Sequence, residues 1–436
     1  MFETQEKTEK AFLVGVDVRS EKAILNINES LQELALLSKT AGLTVVGMDK
    51  QKLDSPNPST FIGSGKVDDI KMYLDSLKAD LVIFDNELSP RHFRELEKVF
   101  GNNIRVLDRT TLILDIFALH AQTREGKIQV ELAQYEYLYP RLTKAWSHLA
   151  RQAGGGGGRS GRVGGVGLRG PGETQLEVDR RRIREKISRL KEEIEKVRVH
   201  RKRYRQNRKR TNIPVVALVG YTNAGKSTLI NTLTKADVYV ADQLFATLDP
   251  TTRRLQLSGG KEILITDTVG FIQKLPAHLI AAFRATLEEI TEADLLIQVV
   301  DLSHLNAIYH WRSVLQTLNE IQADKIPMIT VLNKIDQTTD AELLKKDYPE
   351  FSNGILISAK TGKGLDDLLF EISQELFETY IRINVSIPYK EGQLISMFHE
   401  CGRVEKINHG VGKVDITGKI PGRLLADFKR FQTNSK

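Results

Sequence analysis

Gly220-Tyr221-Thr222-Asn223-Ala224-Gly225-Lys226-Ser227 follows an apolar run over residues 213–219 and opens into a helical run over 228–234 that begins at Thr228. Strand, glycine-bounded loop and helix in that order make a phosphate-binding loop. The glycines let the backbone N–H groups wrap phosphate oxygens at the start of a helix, where unpaired N–H groups already favour an anion. Lys226 then brings a point charge to the β and γ oxygens, and Ser227 sets its hydroxyl on Mg2+. The loop alone does not identify the base.

Three further motifs follow in order, each at the end of an expected strand. Residues 263–265 lead into Asp267-Thr268-Val269-Gly270. There Asp267 is expected to hold the magnesium shell and the Gly270 N–H to meet the γ-phosphate. Between this motif and the loop lies Phe245-Ala246-Thr247-Leu248-Asp249-Pro250-Thr251-Thr252. A hydroxyl from it must complete the metal coordination; Thr247 is the first choice, with Thr251 and Thr252 as alternatives. Residues 328–332 lead into Asn333-Lys334-Ile335-Asp336. The Asp336 carboxylate accepts hydrogen bonds from the guanine N1–H and exocyclic amine, whereas adenine would leave a buried carboxylate unpaired. Residues 355–357 lead into Ser358-Ala359-Lys360, whose backbone N–H meets the guanine oxygen. Together these motifs imply an α/β domain over residues 212–381 that binds GTP and GDP and hydrolyses GTP, with Lys226, Thr247 and Gly270 in the catalytic roles.

Phe271 stands where many GTPases carry the glutamine that orients the attacking water. Hydrolysis is therefore expected to be slow alone and accelerated by a partner; a binding switch with little turnover is the alternative. The Asn223 side-chain oxygen suggests a K+ ion beside the phosphates, which would supply positive charge there.

Upstream, residues 11–120 alternate strand-like runs (12–18, 43–47, 81–85, 104–107) with helical ones (31–39, 67–77, 91–100). That alternation predicts an N-terminal α/β domain over 1–121, with a largely parallel sheet covered by helices. Gly63-Ser64-Gly65-Lys66 mimics a phosphate-loop fragment but lacks the full spacing and reads better as a helix start. Ile128, Leu132, Tyr135, Tyr139, Leu142, Trp146 and Leu149 then form one narrow apolar stripe, and Leu176, Ile183, Ile187, Leu190, Ile194, Val197 and Tyr204 another. The spacing is that of paired helices and predicts an antiparallel helical hairpin over 122–211, interrupted at Pro140. Between the stripes, residues 151–172 hold 11 glycines, enough backbone freedom for a linker or a mobile tip. Downstream, strands at 381–387, 404–407 and 413–416 with helices at 393–399 and 423–431 predict a small α+β domain over 382–436.

The 436 residues suit about three domains, and 41% hydrophobic with 27% charged residues is an ordinary globular balance. No apolar run approaches the ~18 residues of a membrane span, and MFETQEKTEK lacks a signal peptide's apolar core. A single cysteine, Cys401, excludes an intrachain disulfide, and the nine histidines show no metal-ligand spacing. A cytoplasmic monomer without membrane insertion is expected. The net charge of +7 conceals a partition: residues 151–210 carry +13 and the rest −6. A cationic segment on an acidic body points to a polyanionic partner. Arg151, Arg159, Arg162 and Arg169 in the glycine-rich tip, with Arg180, Arg181 and Arg182 beyond it, are the expected RNA contacts.

The whole chain, over about residues 11–430, resembles the HflX family of translational GTPases. The resemblance rests on Gly167-Leu168-Arg169-Gly170-Pro171-Gly172-Glu173-Thr174-Gln175-Leu176-Glu177 with Asp179-Arg180-Arg181, on QVELAQYEYLYPRL at 129–142, and on 245–252 and 267–271. It implies a GTPase that binds the large ribosomal subunit and splits stalled or idle ribosomes, its hairpin tip reaching ribosomal RNA towards the peptidyl-transferase centre. A hydrophobic residue at the Phe271 position fits that family. Residues 154–166 look longer and richer in glycine than the family's loop. A ribosome-assembly or RNA-modification GTPase, or a GTP-gated RNA-binding scaffold, are the competing readings.

Overall fold

Strand β1 (Lys10–Val18) organises the first part of the chain in a computed structural model. The structure describes residues 8–19, 26–101, 103–141, 175–211, 213–234, 244–245, 249–257, 260–273, 284–338, 340–377 and 380–433. Side chains alternate along β1: Ala11 and Leu13 enter one core, Phe12, Val14, Val16 and Val18 the other. A strand buried on both faces belongs inside a parallel sheet. Here β1 lies between β2 (Thr44–Leu53) and β3 (Leu81–Phe84), with β4 (Arg105–Asp108) beyond, all parallel. Helices α2 (Ser64–Leu77) and α3 (Pro90–Phe100) cover one face, and α1 (Ile27–Thr40) packs on the other.

Two local expectations differ from the structure, and one, the helix start at Gly63, agrees with it. β2 runs past residue 47 to Leu53, staying in register with β1 as far as Val18. As an edge strand it has one bonded neighbour, so polar Asp49-Lys50-Gln51-Lys52 does not end it. Gly63-Ser64-Gly65-Lys66 starts α2, and Lys66 Nζ pairs with Asp49 at 2.9 Å. A helix absent from the sequence reading, α4 (Arg109–His120), follows β4 directly, capped by Asp108. Its first two turns are buried all round, with Leu112, Ile113, Leu114, Ile116 and Phe117 enclosed, so it has little amphipathic period to detect.

Helix α5 (Arg124–Leu138) ends in a 3-10 turn, Tyr139–Arg141, that contains Pro140, where interruption was expected. Helix α6 (Gln175–Thr211) packs on it through the anticipated stripes: Ile128, Leu132 and Leu190 are buried against Tyr135, Ile187 and Ile194. Lys186–Glu131 and Lys191–Glu136 ion pairs, each 2.8 Å, flank the seam. The glycine-rich interval, with Arg151, Arg159, Arg162 and Arg169, lies outside the described residues.

A second sheet has the order β10-β9-β8-β5-β7-β6: β5 (Val215–Gly220), β6 (Thr251–Gln256), β7 (Glu262–Asp267), β8 (Leu295–Asp301), β9 (Met328–Asn333) and β10 (Ile355–Leu356). β5 is parallel to both its neighbours, β7 and β8. Chain order reverses at β5, and the crevice beyond a strand end at such a point is where open α/β sheets take ligands. Helices α7 (Lys226–Thr234), α8 (Arg284–Thr291), α9 (Ala307–Glu320) and α10 (Ala341–Asp347) belong to this part of the chain.

The chain divides into two compact units, residues 1–255 with 262–365, and 256–261 with 366–436. The division falls ahead of the expected 381/382 boundary, because α11 (Leu365–Phe377) groups with the second unit, where Lys261 Nζ lies 4.7 Å from the Phe377 ring centre. That unit holds the antiparallel sheet β11 (Tyr380–Pro388), β13 (Lys413–Pro421), β12 (Arg403–His409), with α12 (Gly392–Cys401). The final helix expected at 423–431 is instead two 3-10 turns around the short α13 (Leu425–Phe428). Phe428 is pinned edge-on to Phe398 at 5.4 Å, deep in the small core, and the backbone tightens on either side of it. Among the described residues no helix is long and apolar enough to cross a membrane.

Candidate nucleotide site

The loop after β5 is held in shape by its neighbours. Gly220 has φ +155 and lies so close to β8 that a Cβ would sit 2.4 Å from the Val299 carbonyl oxygen. Gly225 has φ +96, and a Cβ there would sit 2.3 Å from Asn333 Nδ2. Any side chain at either place would force the loop open. The Asp267-Thr268-Val269-Gly270 segment runs alongside: Phe271 N–H donates to the Gly220 carbonyl at 3.0 Å and Thr222 N–H to the Phe271 carbonyl at 2.8 Å. Thr268 Oγ1 donates to the Leu218 carbonyl at 2.5 Å, fixing the motif to the centre of the sheet.

These contacts gather the predicted phosphate residues. Lys226 is buried, and its Nζ donates to the Gly220 and Tyr221 carbonyls at 3.1 and 2.9 Å. Burial pulls its pKa down to about 8, with the Asp267 carboxylate opposing. Ser227 Oγ donates to Asp267 Oδ2 at 2.7 Å. Two hard oxygen donors converging at the mouth of a phosphate loop suit Mg2+, which fills its shell with phosphate oxygens and water. Gly270 packs against Thr222 and Lys226 Nζ, within 3.1 Å of where a Cβ would be. Thr247 lies outside the described residues. Its alternatives Thr251 and Thr252 fall in β6, and the Thr252 hydroxyl is hydrogen-bonded to Thr266 Oγ1 at 2.9 Å.

Base recognition is assembled by Asn333. Its Nδ2 donates to the Ala224 carbonyl at 2.9 Å and its Oδ1 accepts from Ala359 N–H at 2.9 Å, so one amide ties three motifs together. Ser358 Oγ donates to Asp336 Oδ1 at 2.6 Å, orienting the carboxylate. Asp336 is exposed, not buried as expected, so only a base lying on it would cover it. Lys334 adopts φ +65 and its Nζ pairs with Asp301 Oδ2 at 2.7 Å. Asn223, at φ +61, Lys360, Arg181 and Arg182 are exposed, and Thr228 and Arg180 half-buried.

The sequence reading missed a second set of contacts. The Tyr221 hydroxyl donates to Glu33 on α1 and accepts from the Gln273 N–H at 2.9 Å. Burial first, then the Glu33 charge, push its pKa well above the usual phenol value, so the donor keeps its proton. The Tyr221 ring stacks on His310 at 3.9 Å with a 6° interplanar angle. Burial and then His304 hold the His310 pKa down to about 3, which keeps that imidazole neutral. Glu33 in turn pairs with buried Arg109, whose Nη1 donates to Asp85 Oδ1 at 2.8 Å. The phosphate loop is thus wired to a buried ion-pair network in the N-terminal domain.

Comparison with known proteins matches these parts in order. Residues 28–118 match the family described as GTP-binding GTPase N-terminal, 120–208 the GTP-binding GTPase middle region, and 215–334 the 50S ribosome-binding GTPase family. A GTPase HflX from Caldanaerobacter subterraneus is 44% identical over 429 residues, covering 97% of this chain and 95% of its own. One from Escherichia coli is 42% identical over 432 residues, covering 99% and 97%. A crystal structure of a Sulfolobus solfataricus GTP-binding protein with GDP aligns over 85% of this chain and 99% of its own, at 26% identity and a TM-score of 0.41.

Proposed function

The chain belongs to the HflX family of GTPases, and from that premise we propose that it binds the large ribosomal subunit and uses GTP to separate stalled or idle ribosomes. One observation carries this reading: the strongly cationic helix α6, seated on α5 by an apolar seam, runs almost directly into the β5 strand that ends in the phosphate loop. A polyanion gripped along α6 would therefore act on a rigid helix whose C-terminal end joins the strand that carries the phosphate loop. Arg180, Arg181 and Arg182 near its start, with Arg151, Arg159, Arg162 and Arg169 in the tip, would contact ribosomal RNA near the peptidyl-transferase centre.

In the GTPase reaction, backbone N–H groups from Gly220 to Ser227 and Thr228 cradle the phosphates, and Lys226 carries charge to the β and γ oxygens. Ser227, Asp267 and Thr247 would hold Mg2+, which supplies electrostatic stabilisation of the transferring phosphoryl group. The Gly270 N–H meets the γ-phosphate, and Asn333, Lys334, Asp336, Ser358, Ala359 and Lys360 hold guanine. Phe271 is buried among Ala217, Val219 and Leu296 and offers nothing to orient water, so acceleration must come from a partner.

Purified large subunits are expected to raise GTP hydrolysis at least roughly tenfold, modest beside what a residue supplied in trans contributes elsewhere. Sucrose gradients of parallel mixtures made with intact 70S ribosomes should show the particles separating with GTP, and Lys226→Ala should abolish both effects. Hydrolysis that ignores mature subunits but responds to precursor particles or tRNA would favour an assembly or RNA-modification role instead.

Asn223 suggests a second requirement. Asn223 is exposed and left-handed in the loop, and its side-chain oxygen would help bind K+, adding charge of the kind that stabilises a phosphoryl transition state. Hydrolysis in K+ buffer is expected to exceed that in Na+ buffer by about tenfold, and Asn223→Ala to erase the difference. Equal rates for the unaltered chain would remove the ion from the scheme.

A further inference from the structure

The segment carrying Thr247 is fastened to the N-terminal domain on both of its flanks. On one side Leu244 and Phe245 are buried in the α1–α4–α5 core, and the Phe245 ring stands edge-on to Phe117 of α4 at 4.6 Å. Phe245 holds φ +58, a conformation that a bulky side chain adopts only when its surroundings impose it. On the other side the Asp249 carboxylate takes three hydrogen bonds from the start of α5. Gln122 N–H and Thr123 N–H each donate at 2.8 Å, and Thr123 Oγ1 donates as well.

This contact is built for a carboxylate. Thr123 is the N-cap of α5, and its Oγ1 also accepts from Gly126 N–H at 2.9 Å. Gly126 leaves the space in which Asp249 sits: a Cβ there would fall 2.4 Å from Asp249 Oδ1. The oriented N–H groups at a helix start favour the negative charge. Helix α5 is the first arm of the hairpin, so Asp249 joins the nucleotide-responsive segment to the hairpin's base.

We propose that Asp249 is a latch between the GTP switch and the hairpin: shut with GDP, and opened when GTP draws the segment between Phe245 and Asp249 onto the phosphates. Thr247 is two residues from each anchor, and two residues span at most about 7 Å, so its reach towards the phosphates is limited to about that distance from either anchor unless one yields. Opening frees the first turn of α5 and lets the hairpin respond to the nucleotide. By linkage, breaking the latch by mutation must favour GTP over GDP. The inference rests on the proposed GTPase reading, in which the GTP switch lies between Phe245 and Asp249.

The test is amide hydrogen exchange on the full chain with GDP and with a non-hydrolysable GTP analogue. The Gln122 and Thr123 amides are expected to exchange at least tenfold faster with the analogue. In Gly126→Ala they should exchange fast with both nucleotides, and affinity for the analogue relative to GDP should rise at least threefold. Alanine is the better helix former, so a purely local effect would slow exchange, the opposite sign. Asp249→Ala should match Gly126→Ala, and the double variant should add nothing. Equal exchange under both nucleotides in the unaltered chain, or slower exchange in Gly126→Ala, overturns the latch. Thr247→Ala separates the two readings. If it leaves hydrolysis unchanged while the amides of the unaltered chain still respond to nucleotide, the switch threonine is misassigned and the latch stands. If it abolishes hydrolysis and those amides never respond, the latch alone fails.

Discussion

Asp336→Asn is expected to cost the chain its guanine preference and give it one for xanthine. The carboxylate offers two acceptors to the N1–H and exocyclic amine of guanine, and Ser358 Oγ fixes its orientation at 2.6 Å. Each charge-assisted hydrogen bond is worth roughly 1.5–3 kcal/mol, so losing both should weaken GTP about 10²- to 10⁴-fold. Because Asp336 is exposed, the lower half of that range is the better expectation. Asparagine presents one donor and one acceptor, which match the 2-oxo group and N1–H of xanthine. The rest of the site should be untouched, because the clamp on the phosphate loop is Asn333, through Ala224 and Ala359. The variant should therefore bind and hydrolyse XTP while failing with GTP, measured by fluorescent-nucleotide titration and phosphate release. A GTP affinity within threefold of the original would mean that the base is read elsewhere.

The contrast between Asp336 and Tyr221 shows what could be read from sequence. Asp336, Asn333, Asp267 and Lys226 each end or closely follow a strand that announces itself by an apolar run, so local order places them. The two faces of the N-terminal sheet were legible for the same reason, since β1 alternates between two cores. Tyr221 was legible only as a backbone donor of the loop. Its side-chain partners, Glu33 and His310, are 188 and 89 positions away, and nothing local distinguishes them from any surface acid or histidine. Helix α4 escaped because its first two turns are buried all round, which erases periodicity there, and β2 was cut short because an edge strand may be polar. Such features are set by which domains press together, and that information is not local.

Arg109→Leu is expected to destabilise the first unit by about 3–5 kcal/mol, the usual cost of leaving buried partners of an ion pair uncompensated. Arg109 is fully enclosed, bonded to Glu33 and Asp85, while Ser30 Oγ donates to Asp85 at 2.7 Å. Burial alone would lower the guanidinium pKa, but Glu33 and Asp85 together raise it, so the cation is held by its acids. Leucine leaves part of the volume empty and strands both carboxylates. Against a total stability of order 5–15 kcal/mol this is a large fraction, and a thermal midpoint lower by roughly 5 °C should follow. A companion variant separates folding from function. Replacing Glu33, Asp85 and Arg109 together by leucine removes every stranded charge, and such exchanges are often neutral or stabilising. Stability should then return, but Tyr221 would still lack the acceptor that holds its hydroxyl beside Gln273 N–H. GTP affinity should therefore stay reduced in the triple variant although its melting recovers. If affinity recovered with stability, the network would be a folding device only, and the phosphate loop would owe nothing to the N-terminal domain.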